Sequence, residues 1–487
     1  MKKAMKYGAI AAIVLASSFS MAGLPFANAA TTSQSFKGTI TMFAASYGPS
    51  PTVKSTEMMV VAKEFERLHP GVTIKFVQVP AASNYDTWVV TEASAGQLPD
   101  IAYEQYQNIG GTIPESIFYN LDPYLKQKDP FVKGKTWAQV LNPKIIAETE
   151  APNGGTYLIH GDYVGQGMFY NKNDFAKAGI AKPPVTWGQF IQDSKKLQHV
   201  GITPVYVELS TANEGELTWF SRLIYTNIFH KQYHSLLYTG DSAMGTEDQV
   251  IAIKKGVFGP KNPRWMEFWK VMKNWAQYME KDPTGVSGTG DLAFKAFATG
   301  KSAMYFGGSW TPSSLVAAHL PFKWASFPDP YPVVGNFAYA TNFNSSAAVG
   351  SPDGNIEYGI ATPQADHTMT PAKKAMAIKW LQFITTPKND STIVNKLGIF
   401  VPTVVGSKPL KSLYGLRKLA DSSIQSNTGG IDLTNQELDS IFRAFQGYLL
   451  GEVSLKAFGQ TAGQVMTQTA NTLIAQNHWN LSKYGVK

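Results

Sequence analysis

The stretch from Thr39 to Val77 constrains the fold more than any other part of the chain. Thr39-Ile40-Thr41-Met42-Phe43-Ala44 reads as a strand, and after a Ser/Pro/Gly-rich loop Met58, Val61, Phe65 and Leu68 recur at helical spacing. His69-Pro70-Gly71 ends that helix, and Val72, Ile74 and Phe76 then alternate with more polar positions as a second strand. Strand, helix and strand within so short a span form a parallel crossover, right-handed by a strong general preference. Parallel sheets need helices on both faces, so the chain is committed to α/β architecture. A further helix holding Tyr85, Trp88 and Val89 ends near Gly96, and Leu98-Pro99-Asp100-Ile101-Ala102-Tyr103 supplies the third strand.

The chain has 487 residues. Its first part has the layout of a secretory signal over residues 1–29: Lys2, Lys3 and Lys6 lead, an apolar run spans Gly8 to Ala16, and Ala27-Asn28-Ala29 offers the small-residue cleavage pattern. Secretion across the cytoplasmic membrane is therefore expected, to the periplasm or the cell surface. No later apolar run is long enough to cross a bilayer. The remaining length exceeds what one core supports, which implies two domains or more. With no cysteine in the sequence, disulfides, thiolate metal sites, a cysteine nucleophile and a lipid anchor through cysteine are all excluded. The formal net charge is +8, but three of those charges sit in the signal and the other basic residues are scattered, so nucleic acid is not an expected partner.

A second informative stretch is Asp291 to Leu320. Leu292, Phe294, Ala296 and Phe297 predict a short helix stopped by Gly300, and Ser302 to Phe306 a buried strand ended by Gly307 and Gly308. Thr311 and Pro312 read as an N-cap and a first-turn proline. Trp310 is thus expected between the carboxyl end of a strand and the start of a helix, where open α/β sheets place their ligands.

The pattern F-x-x-G-K-x-A-M-x-x-x-G-x-W from Phe297 to Trp310 resembles a segment of the extracellular solute-binding proteins of ABC importers, in the carbohydrate-binding family that includes maltose-binding protein. A second resemblance, Y-N-K-x-x-F-x-K-A-G-I…P-P-x-T-W-x-x-F from Tyr170 to Phe190, is similar to the start of the second lobe in that family. It implies a type II periplasmic-binding-protein fold, two α/β lobes joined by a three-crossing hinge. The expected boundaries are residues 36–162 plus 356–400 for the amino-terminal lobe and 163–355 plus 401–487 for the carboxy-terminal lobe. Tyr358-Gly359-Ile360-Ala361 resembles the strand that returns to the first lobe, and Leu397 to Pro402 the third crossing.

The same resemblance makes Trp310 the candidate for stacking on a sugar ring. Glu104, Tyr106 and Asn108, just past the P-D-I strand, are candidates for facing the cleft. His160, Asp162 and Tyr163 are expected on its hinge wall, and Gly161, Gly165 and Gly167 are expected to soften that crossing. Tyr47 in the first loop, and Glu208 and Asn213 in the polar loop after the strand Ile202 to Val207, complete the candidate set. Tyr331, Phe337, Tyr339 and Asn342 fall in an aromatic region that could also reach the ligand. Trp219 and Phe220, by contrast, read as core of the helix that follows the polar loop.

Other chemistry lacks its signature. Lys295 stands where a phosphate-binding loop needs its first glycine, there is no G-x-S-x-G elbow, and His230 and His234 lack the intervening glutamate of a zinc peptidase. No cofactor and no metal are expected. The resemblance therefore implies a monomeric binding module for a di- or oligosaccharide that docks on a membrane permease. The alternative is a secreted glycoside hydrolase, which would need paired carboxylates such as Glu104 with Asp162 or Glu208.

Overall fold

The computed structural model describes residues 36–44, 56–77, 85–110, 113–151, 153–206, 214–240, 244–276, 292–331, 333–343, 348–352, 354–398, 400–416, 423–425 and 430–486. Tyr47, Glu208 and Asn213 lie outside them.

The strands of the described residues are, in chain order, β1 (Gly38–Phe43), β2 (Val72–Phe76), β3 (Ile101–Tyr103), β4 (Ile159–His160), β5 (Asp162–Asn171), β6 (Thr203–Tyr206), β7 (Ser302–Gly308), β8 (Trp324–Phe327), β9 (Ala348–Ser351), β10 (Glu357–Ile360), β11 (Val401–Pro402) and β12 (Ser423–Gln425). They form two sheets. The first has the order β2-β1-β3-β10-β4, with β1 parallel to both neighbours, as the strand-helix-strand reading requires, and β10 inserted antiparallel. The second has the order β12-β9-β5-β7-β6, and β8 and β11 also pair with β5. Each sheet with its helices makes one α/β lobe.

Each lobe has its own apolar core. In the first, Ile40, Met42, Phe65, Trp137, Tyr358 and Trp380 are all sealed from solvent beneath the helices Thr56–Leu68 and Pro371–Ile384. In the second, the stripe Trp265, Phe268, Trp269, Met272 and Trp275 on the helix Pro263–Ala276 turns wholly inward, as its spacing predicts. It meets Phe445 and Phe458 of the two last long helices, Asn435–Leu450 and Leu455–Gln476.

The chain passes between the sheets three times: at Gly161 between β4 and β5, between β9 and β10, and at β11, which lies antiparallel to Asp162 and Tyr163. Local signals read from the sequence hold at several turns. Gly300 is left-handed at φ 73°, and Thr186 Oγ1 accepts from the Gln189 N–H at 3.2 Å as an N-cap.

At Gly307 and Gly308 the expectation is corrected. Both belong to β7, paired with Gly167 and Gln166, and neither has a positive φ. Their missing side chains serve close approach: a Cβ on Gly308 would run into the Trp310 ring, and one on Gly307 would lie 2.6 Å from Thr311 Oγ1. Thr311 does stand at the N-cap position with Pro312 in the first turn, but its side chain caps no helix N–H. Its backbone is helical, and its hydroxyl accepts from the Gly308 N–H at 3.2 Å, which curls the chain back over the strand end.

Candidate ligand-binding site

Trp310 is placed by the end of β7. Ser309 is bonded twice to Gly165 of β5, its N–H donating to the Gly165 carbonyl at 2.8 Å and its hydroxyl accepting the Gly165 N–H at 3.1 Å. The following residue therefore leaves the sheet at a fixed height, and the indole folds down over Gly308. Trp310 is half-buried and packs on the apolar cluster of the first lobe, although the strand that carries it belongs to the second.

Its neighbour is Trp219. The helix Glu214–Phe229 presents Trp219 with its ring centre 5.1 Å from that of Trp310 and inclined by 37°. Phe220 next to it is sealed in the core as the sequence reading expects. Trp219 is not: it is half-buried and touches the cores of both lobes. Its carbonyl accepts from Gln166 Nε2 of β5, and the Arg222 guanidinium lies over its ring at 4.8 Å. Two adjoining indoles, each partly open and both touching the opposite lobe, make an aromatic surface where the lobes meet.

The first lobe contributes a polar wall at the carboxyl end of β3. Glu104 is fully buried, and its Oε1 accepts from the Gln105 N–H at 2.8 Å and from Asn108 Nδ2 at 3.0 Å. Its Oε2 is buried without a hydrogen-bond partner. Burial holds the Glu104 proton up to about 7, although the bond from Asn108 opposes the shift. Asn108 Nδ2 also reaches Asp86 at 3.3 Å, so one amide bridges two carboxyls. The Tyr106 N–H donates to Glu357 Oε1 at 2.6 Å, and the Tyr106 ring stands edge-on to His160 at 6.0 Å. Burial lowers His160 to about 4, so its ring is neutral at neutral pH. Glu104, Tyr106, Asn108 and His160 thus come together at one end of the first sheet, around the start of β10.

Asp162 and Tyr163 sit elsewhere, inside the hinge. Asp162 is fully buried; its Oδ1 accepts the N–H groups of Asn355 at 2.9 Å and Ile356 at 2.8 Å, and its Oδ2 lies 3.1 Å from the same Asn355 nitrogen. It therefore ties the first crossing to the second. Asp390 performs the matching task, its Oδ2 accepting the Val404 N–H of the third crossing at 3.4 Å. A Cβ on Gly161 would lie 2.8 Å from Asp390 Oδ1, so Gly161 serves this packing. Tyr163 is 1% exposed in an apolar cluster with Phe169, Tyr305 and Leu413. Of the aromatic region, Tyr331 and Phe337 are core residues of the second lobe, Tyr339 lies beneath the Arg264 guanidinium, and Asn342 Oδ1 accepts the Val334 N–H at 2.9 Å.

A family model described as bacterial extracellular solute-binding protein matches residues 48–391, more than half of the chain. The chain belongs to that family. Among relatives of this solute-binding protein are a binding protein from Brucella abortus, 31% identical over 144 residues, and the multiple sugar-binding protein of Streptococcus mutans serotype c, 22% identical over 288 residues. The matches cover 29% and 57% of this chain and span 32% and 59% of those relatives' lengths. Among solved structures, RafE in complex with raffinose is 18% identical with a TM-score of 0.57, covering 89% of this chain and 100% of its own. The cyclic α-maltosyl-1,6-maltose binding protein of Arthrobacter globiformis is 15% identical with a TM-score of 0.61, over 90% of this chain and 100% of its own. A chitin oligosaccharide binding protein is 17% identical with a TM-score of 0.57, over 89% and 99%. At such identities the likeness shows the fold, two α/β lobes of the solute-binding type.

Proposed function

We propose that this solute-binding protein captures a carbohydrate, a di- or oligosaccharide, between its two lobes, acts as a monomer outside the cytoplasmic membrane, and delivers the sugar to the permease of an ABC importer. The observation that carries the reading is the half-exposed Trp310 indole, paired with Trp219 where the lobes meet. Pyranose rings offer C–H faces that stack on indoles and hydroxyls that need polar partners. Half-buried Asn108 and Tyr106, beside the buried Glu104 that Asn108 bonds, supply such partners. The names of the relatives and neighbours, which bind raffinose, a cyclic maltosyl-maltose, chitin oligosaccharides or multiple sugars, agree with that class.

The hydrolase alternative finds less support. Asp162, one of its supposed carboxylates, has its oxygens turned to backbone N–H groups inside the hinge, where no glycosidic bond could reach. The test has two parts. A thermal-shift screen against a sugar panel identifies a ligand that raises the melting temperature, and incubation with that sugar releases no new reducing ends. In calorimetry, Trp310→Ala weakens binding at least tenfold, about 1.4 kcal/mol, with the melting temperature of the free protein preserved. Unchanged affinity in that variant, or the appearance of reducing ends, refutes the reading.

A further inference from the structure

Behind the two indoles lies a cation with an unusual set of constraints. Arg222 follows Trp219 by one helical turn, with its guanidinium carbon 4.8 Å from the Trp219 ring centre. Its Nη2 donates to Asp432 Oδ2 at 3.3 Å. Asp432 belongs to the approach to the helix Asn435–Leu450, 210 residues along the chain, so the pair joins two distant parts of the second lobe. The two side chains are 28% and 25% exposed, which shields the pair from much of the screening that weakens surface pairs. Arg222 Nε is buried without a hydrogen-bond partner. The Asp432 carboxylate on one side and the indole face on the other are what orient the guanidinium. Asp432, Arg222, Trp219 and Trp310 therefore form one contiguous series of contacts that ends at the interlobe surface.

We propose that Arg222, clamped by Asp432, is a positioning residue that holds Trp219 as the backing for Trp310, so that the stacking surface is set before a ligand arrives. The inference rests on the ligand-stacking role of Trp310 given above. An indole free to rotate would have to be immobilised on binding, and that ordering is subtracted from affinity. A cation over its face and a second ring inclined against it at 5.1 Å remove much of this freedom in advance. The planar guanidinium can lie on the ring and donate to the carboxylate together, which a lysine ammonium cannot match in geometry.

The test uses the full chain labelled with 5-fluorotryptophan and followed by fluorine NMR, with the two resonances assigned through Trp219→Phe and Trp310→Phe. Arg222→Met is expected to shift or broaden both resonances and leave the other tryptophans in place, with a lowered melting temperature because the part-buried Asp432 carboxylate loses its partner, and Arg222→Lys to restore the two resonances only in part. With raffinose and maltotriose as probes, Arg222→Met is expected to weaken by three- to tenfold the binding of whichever the wild type takes. In a Trp310→Ala background the same change should have no further effect, because its influence passes through that ring. A Trp310 resonance that stays in place in Arg222→Met overturns the proposal, as does an undiminished affinity loss in the Trp310→Ala background. If neither sugar binds the wild type, carbohydrate capture is what suffers, and the fluorine spectra still decide the role of Arg222. If Arg222→Met unfolds the chain, Asp432→Asn, which releases the clamp and keeps the cation, takes its place with the same expected resonance shifts.

Discussion

Replacing Asp162 by Asn should change the pH dependence of stability in a calculable way. In the folded chain burial pushes the Asp162 carboxyl from 3.8 up to about 7, and the Asn355 and Ile356 N–H groups oppose that shift only in part. A carboxyl with its proton held more tightly when folded than when unfolded makes stability fall as pH rises between those two values, with the full penalty present above about 7. The difference corresponds to about 4 kcal/mol, at about 1.4 kcal/mol for each pH unit. Asparagine carries no charge at any of these pH values, so Asp162→Asn abolishes this component. It also turns an amide nitrogen toward the Asn355 N–H in place of an acceptor, at a loss of about 1–3 kcal/mol. At pH 5 the wild type has already lost about 1.6 kcal/mol through this proton, so the variant should lie within about 1.5 kcal/mol of it. By pH 8 it should match or exceed the wild type by up to about 3 kcal/mol. Urea unfolding of both proteins, followed by tryptophan fluorescence from pH 5 to pH 8, measures the difference directly. A gap between them that stays constant across that range would refute the argument that a proton resides at the hinge.

Gly308→Ala should displace Trp310, since its new methyl group would occupy the space of the indole ring, and sugar affinity should drop at least tenfold in calorimetry while the second-lobe core stays folded. Lys373→Met removes the ammonium that lies 2.5 Å from the buried Asp100 carboxylate, which also accepts from the Thr41 N–H and hydroxyl at 2.7 Å. Stranding that charge should lower stability by about 3–5 kcal/mol, read as a reduced urea midpoint with an unchanged slope.

What was legible in the sequence was local. The alternation in Val72 to Phe76 and the helical recurrence of Met58, Val61 and Phe65 gave the first crossover, because backbone periodicity alone sets which side chains share a face. The stripe on the helix Pro263–Ala276 and the exit of Trp310 at a strand end were readable for the same reason. The glycines of β7 were found, but their purpose was misread, since strand and turn glycines look alike until the atom that would strike a Cβ is known.

Trp219, read from the sequence as core, is instead half-buried against the cores of both lobes. A tryptophan beside a phenylalanine on an apolar helix reads as core, and only the adjacent polar loop hinted otherwise. The neighbouring chain segments decided its place: Gln166 of β5 holds its carbonyl, and Arg222 and Trp310 hold its ring. Asp162 is the reverse case, a polar residue next to a glycine whose carboxyl turns inward to accept two N–H groups of the second crossing, 193 and 194 residues away. By itself the sequence determined the strands, the helices and the α/β class, all of which follow from interactions a few residues apart. The tertiary structure alone decided which indole backs Trp310 and which carboxyl ties the first crossing to the second, because contacts between residues as far apart in the sequence as Trp219 and Trp310, or Asp162 and Asn355, exist only once the lobes have formed.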